Sequence, residues 1–150
     1  MSSEVSVARV SSDIGKWSGT TIECIGVLQG TVLTKDSLKD VPSSTTVLRL
    51  RNNGFTSLPV GIFDNLPNLE VLDLTFNPFR TLEAGVFDNL PHLQELDLTQ
   101  CELSSLPDGI FDKLTSLKIL ALTANHLNLG SFEPSLPDGV FDKLASLRVL

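Results

Sequence analysis

The segment Leu69–Leu82 reads LEVLDLTFNPFRTL. Its spacing of leucines returns at Leu93–Leu106 as LQELDLTQCELSSL and at Leu117–Leu127 as LKILALTANHL. Upstream, Thr45–Leu58 (TTVLRLRNNGFTSL) holds the same phase with threonine in the first position, and Leu147–Leu150 (LRVL) begins it once more. Between the copies stands a second string: GIFDNLPNL at Gly61–Leu69, GVFDNLPHL at Gly85–Leu93, GIFDKLTSL at Gly109–Leu117 and GVFDKLASL at Gly139–Leu147, at offsets of 24, 24 and 30. Several matches in one register make an internal repeat, and a repeat decides the architecture before local propensity does.

The spacing has a physical reading. The fourth and sixth positions of each unit (Leu72 and Leu74, Leu96 and Leu98) alternate with polar neighbours, the period of a half-buried strand. Those leucines stack on their equivalents in the next coil. The asparagine position (Asn53, Asn77, Asn125) ends the strand, where a side-chain amide can serve backbone groups that a turning chain leaves unpaired. Phe63, Phe87, Phe111 and Phe141 recur at one phase and predict an aromatic spine on the opposite side. The LPxG(I/V)FDxL segment is too broken by proline and glycine for a long helix and predicts irregular or 3₁₀-like turns. Its repeated Asp64, Asp88, Asp112 and Asp142 read as local caps of that turn. An L-x-x-L-x-L-x-x-N-x-L unit of 24 residues is the leucine-rich-repeat signature. The expected fold is thus an α/β leucine-rich-repeat solenoid, a curved right-handed horseshoe with a parallel concave β-sheet. No single coil buries its own face, so stability comes from neighbour contacts along the stack.

Residues 45–150 make four units of 24–30 residues and the start of a fifth, and residues 1–44 make an N-terminal tail and capping segment. Thr20–Cys24 alternates like a first strand. Leu150 falls in mid-strand with no capping coil after it, which predicts a fragment of a longer protein.

Composition narrows the partners. Of 150 residues 27 are leucine, with no tyrosine and one tryptophan. Eleven basic against eighteen acidic side chains give a net charge of −7, which disfavours nucleic acid, whose affinity rests on Lys and Arg neutralising phosphates. No apolar run reaches the roughly 20 residues of a membrane span, and Met1–Thr20 hold no apolar core of a secretory signal. Cys24 and Cys101 would lie about three coils apart, roughly 15 Å at the strand spacing, beyond disulfide reach. No sequence pattern calls for a cofactor, and metal ligands at close spacing are missing.

The strings SLPDGIFDKLTSLKIL (Ser105–Leu120) and SLPDGVFDKLASLRVL (Ser135–Leu150), with GTTIEC at Gly19–Cys24, closely resemble the variable lymphocyte receptors of jawless vertebrates. They are also similar to other extracellular leucine-rich-repeat receptors, including the Toll-like group. The resemblance covers about residues 18–150 and implies a concave sheet that binds antigen or protein ligands, in a protein secreted or held at the cell surface.

Candidate binding residues follow from the repeat. The third, fifth, seventh and eighth positions face outward on the sheet side. The first unit offers Arg49 and Arg51. The second offers Val71, Asp73, Thr75 and Phe76, and the third Glu95, Asp97, Thr99 and Gln100. Ile119, Ala121 and Thr123 follow in the fourth. The fifth position runs Arg49, Asp73, Asp97, Ala121 across the sheet. At about 4.8 Å between strands, Arg49 is placed to pair with Asp73, while Asp73 and Asp97 repel. The acidic group of Asp73, Glu95 and Asp97 reads either as a pocket for a partner's Lys or Arg or as a solvated polar face. Val71, Phe76, Ile119 and Ala121 put apolar spots beside it, an interface-like layout. Asn128–Ser135, eight residues where two would suffice, is an insertion that projects Phe132 and Glu133 as further loop candidates. Cys101, in an asparagine position, reads as a small buried ladder residue, and His92 and His126 are too isolated for a triad.

These features point to a non-catalytic, receptor-like recognition module that binds a protein or glycan, with a basic patch on the ligand matching the acidic centre. An intracellular scaffold or regulatory protein on the same fold is the alternative, supported by the missing signal and few cysteines.

Overall fold

The computed structural model describes residues 21–26, 32–127 and 136–150. Five three-residue strands, β1 (Thr21–Glu23), β2 (Val47–Arg49), β3 (Val71–Asp73), β4 (Glu95–Asp97) and β5 (Ile119–Ala121), form one parallel sheet in chain order. The register places Ile22, Leu48, Leu72, Leu96 and Leu120 side by side. Each is buried, and the next inward residues (Cys24, Leu50, Leu74, Leu98) form a second buried column. The alternation in sequence thus becomes a wall with its apolar side shut in and its polar side open. Val149 bridges to Ile119 and continues the pattern.

Among the described residues no helix connects the strands. The chain returns through successive turns closed by bonds three residues apart: Ile62 N–H to Pro59 O, Asp64 N–H to Gly61 O and Leu66 N–H to Phe63 O, with the same set at Ile110, Asp112 and Leu114 and at Val140, Asp142 and Leu144. The expected irregular, 3₁₀-like outer side takes this form. The Gly-x-x-Asp spacing has a steric cause. Gly109 sits at φ +69, and a Cβ there would lie 3.2 Å from Asp112 Oδ2, so the carboxylate folds over a residue that must lack a side chain.

Phe63, Phe87, Phe111 and Phe141 stack along this outer side, with centroids 6.3, 6.4 and 6.2 Å apart and planes within 17°. Strands in the sheet lie only about 4.8 Å apart. Coils that are wider at the rings than at the strands must fan outward on the spine side, and the sheet therefore becomes the concave face.

A buried amide ladder closes each strand end. Asn77 Oδ1 accepts the N–H groups of Asn53 (3.0 Å) and Phe55 (3.2 Å) from the preceding coil, while its Nδ2 donates to Leu50 O and Leu74 O. Asn125 repeats this on Cys101 and Leu103, with Nδ2 to Leu98 O and Leu122 O. Cys101 occupies the intervening rung. Its thiol keeps one of these bonds, donating to Leu74 O at 3.3 Å. The amide oxygen that would serve Asn77 and Phe79 is gone, and Phe79 N–H turns to Asn77 O instead. Burial pushes the Cys101 thiol up from 9.0 to about 11, with the Asp97 and Asp73 charges adding and the Asn77 amide opposing. A thiol held protonated in this way is a poor nucleophile.

Two outcomes follow from this packing. Phe111→Ala, in the middle of the spine, is expected to cost about 3–5 kcal/mol in equilibrium urea unfolding, well above a surface control such as Ser104→Ala. Cys101→Asn restores a two-sided rung and is expected to add about 1 kcal/mol. The pH profile carries the sign of the thiol's shift. The unfolded chain releases this proton near 9.0 and the folded protein only near 11. Stability from this group is thus complete below pH 9 and falls as pH rises from 9 to 11. Subtracting the profile of Cys101→Asn from that of the wild type isolates the loss.

Candidate functional site: the concave sheet face

The residues between the inward leucines are set by the sheet register itself. Arg49, Asp73, Asp97 and Ala121 stand in one row, and Val47, Val71, Glu95 and Ile119 in the row beside it. Arg49, Val71, Asp73, Glu95, Asp97, Ile119 and Ala121 come together around one open depression of about 190 Å³, floored by Leu72 and Leu96. Seven of the sequence candidates therefore share one site. The concave position of Ile119 leaves it 36% exposed, an apolar rim on the side away from Arg49.

Arg49 does not pair with Asp73 as the spacing suggested. Its Nη1 donates to Glu23 Oε1 at 2.6 Å, across β1 and β2. The reason lies in the first strand, whose Glu23 is the direct register partner of Arg49 and offers an unengaged carboxylate. Asp73 has one oxygen already committed: Oδ1 accepts Thr75 N–H at 3.0 Å, and Asp97 Oδ1 accepts Thr99 N–H at 2.9 Å. The two aspartates thus cap the turn that follows their strands, an Asx-type bond two residues onward. Asp73 Oδ2 lies 3.9 Å from Arg51 Nε. Among the described residues no basic side chain pairs with Asp97 or Glu95, so the negative potential concentrates at the β4 side of the depression.

Thr75 is not part of the open surface. It is 6% exposed, because the chain turns immediately after Asp73 and folds this residue into the ladder, where its carbonyl accepts Asn52 N–H at 2.9 Å. Thr99 is half-buried and Thr123 exposed. Phe76 and Arg51 lie outside the depression at the C-terminal rim, with the Arg51 guanidinium carbon 6.0 Å from the Phe76 ring centre. Gln100 shares that rim. Phe132 and Glu133, with the rest of the Asn128–Ser135 insertion, lie outside the described residues.

The eighth position imposes a left-handed backbone on whatever residue occupies it: Asn52, Phe76, Gln100 and Ala124 have φ of 56, 60, 53 and 56, and Gly26 has 66. Sequence reading missed this, although Gly26 and Asn52, two residue types at ease there, signalled it. Also missed was the flank where chains enter the sheet. Two further depressions there, about 280 and 410 Å³, share Glu70 and His92. Along that flank Lys118 Nζ donates to Gln94 Oε1 and Ser116 Oγ to Pro91 O, so much of its polarity is spent between coils.

A family model described as leucine rich repeat matches residues 43–103 and 91–150. The chain belongs to the leucine-rich-repeat family. Solved structures agree on the leucine-rich-repeat fold. The crystal structure of the leucine-rich repeat domain of APL1B matches with a TM-score of 0.71 at 24% identity, over 85% of this chain and 34% of the other. The present chain thus spans about a third of that one's length. Comparison with curated proteins finds no match. Leucine-rich-repeat domains generally bind proteins and are typically non-catalytic. Among the described residues no helix is long and apolar enough to cross a membrane, and no group of three or more His, Cys, Asp or Glu side chains is placed to hold a metal ion.

The strained eighth position is directly testable at Ala124, which is exposed and carries little side chain to lose. Ala124→Asn is expected to raise stability by about 0.5–1 kcal/mol, since asparagine tolerates the left-handed region better than alanine. An unchanged urea midpoint would show that the position carries no strain.

Proposed function

We propose that this leucine-rich-repeat chain is a non-catalytic, receptor-like recognition module that binds a protein ligand through its concave face. The observation that carries the reading is the depression between β2 and β5, where Asp97 and Glu95 stand without a basic partner among the described residues, next to apolar Val71, Ile119 and Ala121. Those features suit a partner's Lys or Arg: the long aliphatic stem lies on Ile119 and Ala121 while the charged head meets the carboxylates. Desolvated charge pairs at the centre of an interface set specificity and register. A glycan ligand is less well served, because the depression offers no aromatic platform and its acids favour a cation. An immune role is supported by the resemblance of the SLPDG(I/V)FDKL strings to antigen receptors.

The bonds to Thr75 and Thr99 decide how this is tested. Charge reversal at Asp73 or Asp97 would remove a turn cap along with the charge. Asp97→Asn keeps an oxygen for Thr99 N–H, and Glu95→Gln disturbs no described bond. A protein-array screen with the protein supplies a ligand. The double variant Asp97→Asn/Glu95→Gln is then expected to bind it about 10–100-fold more weakly, with unfolding unchanged within about 0.5 kcal/mol. Equal affinity for wild type and double variant would contradict the proposal.

A further inference from the structure

Arg51 stands apart from the other described arginines of the ladder. Arg49 is neutralised by Glu23 at 2.6 Å and Arg80 donates to Glu102 at 3.4 Å. The Arg51 guanidinium donates no hydrogen bond among the described residues, although the backbone carbonyl accepts Gly26 N–H at 3.2 Å. The nearest carboxylate oxygen, Asp73 Oδ2, is 3.9 Å away, too far for a hydrogen bond, and the other oxygen of Asp73 serves Thr75. Its guanidinium carbon lies 6.0 Å from the Phe76 ring centre, at the outer edge of cation–π range, and the side chain is 43% exposed, so its N–H edges stay open to a partner.

Phe76 itself is hard to explain by folding. It remains 44% exposed at a position where the other coils have Gly26, Asn52, Gln100 and Ala124 at similar φ, so the fold asks for no ring there. A large apolar side chain left exposed where small or polar residues serve equally well points to a role in binding. Ile25, in the position of the neighbouring coil equivalent to Arg51, is another exposed large apolar residue (47%). The rim thus holds an apolar residue, a guanidinium engaged only by the 3.9 Å ion pair to Asp73, and an aromatic face in sequence.

We infer that Arg51, beside Phe76, is a second recognition point that takes a carboxylate side chain of the protein partner. This rests on the concave-face reading and adds to it: a partner segment that places Lys or Arg at Asp97 would present Asp or Glu toward Arg51. A single carboxylate matches the planar fork in bidentate fashion. A phosphate dianion is disfavoured by Asp73, Asp97 and Glu95 close by.

The test is a titration of the ¹⁵N-labelled protein followed at the arginine Nε–H signals. The probes are N-acetyl-glutamate N-methylamide, inorganic phosphate and N-acetyl-lysine N-methylamide. The glutamate probe is expected to shift the Arg51 and Phe76 ring signals at millimolar concentration, well beyond Arg80 and Arg148. Phosphate is expected to bind about fivefold or more weakly at the same signals. Arg51→Lys, which keeps the charge but loses the fork, and Phe76→Leu, which keeps bulk but loses the ring face, are each expected to weaken the glutamate probe about 3–10-fold. An Arg51 shift no larger than those of Arg80 and Arg148, or phosphate binding as tightly as the glutamate probe, would overturn the inference. The lysine probe separates the two readings: if it shifts the Asp97 and Glu95 amides while the glutamate probe leaves Arg51 unshifted, this inference alone is retired, and if neither probe shifts its own point the concave-face reading fails as well.

Discussion

The rest of the structure depends on the buried asparagine rung that joins each coil to the one before it. A chain that leaves a three-residue strand and turns at once exposes N–H and C=O groups in an apolar interior, where each unpaired group costs about 1–3 kcal/mol. One side chain answers four of them: Asn77 accepts from Asn53 and Phe55 and donates to Leu50 and Leu74. Because the donors lie in the preceding coil, the rung also fixes the distance between coils. Strand register, leucine columns and the row of fifth-position side chains inherit their alignment from it.

Curvature and function meet in the contrast between that rung and the phenylalanine spine. Rings spaced 6.2–6.4 Å on one side and strands about 4.8 Å apart on the other bend the stack. The bend presents the polar rows together rather than spreading them over a flat surface. Asp73 and Asp97 each commit one carboxylate oxygen to capping the turn after their strands. Acidic residues at this position are therefore compatible with a purely structural need, and under the proposed function a partner would meet the oxygen the turn does not use.

Much of this was legible before any coordinates. Leucine alternation identified the strands, the offset of 24 identified their alignment, and the fifth and third positions identified seven residues that do share one depression. What escaped had local causes. The first strand enters with an offset of 26 from the second, so Glu23 was not counted in the charge row and Arg49 was assigned to Asp73. Thr75 looked outward by parity, but the strand stops two residues earlier and parity no longer applies. The left-handed eighth position showed weakly, through Gly26 and Asn52 alone, because Phe76, Gln100 and Ala124 give no such hint. The thiol at Cys101 was rightly placed in the ladder, yet only the hydrogen bonds reveal which half of the rung it drops.

The claim that the rung ties coil to coil is tested most directly by amide hydrogen exchange at Asn53, Phe55, Cys101 and Leu103, four N–H groups outside any strand that donate to an asparagine of the next coil. The account predicts protection comparable to that of the strand-flanking amides of Leu50 and Leu98, with Asn77→Ala releasing Asn53 and Phe55 first. Exchange at these four sites as fast as in exposed turns would contradict it.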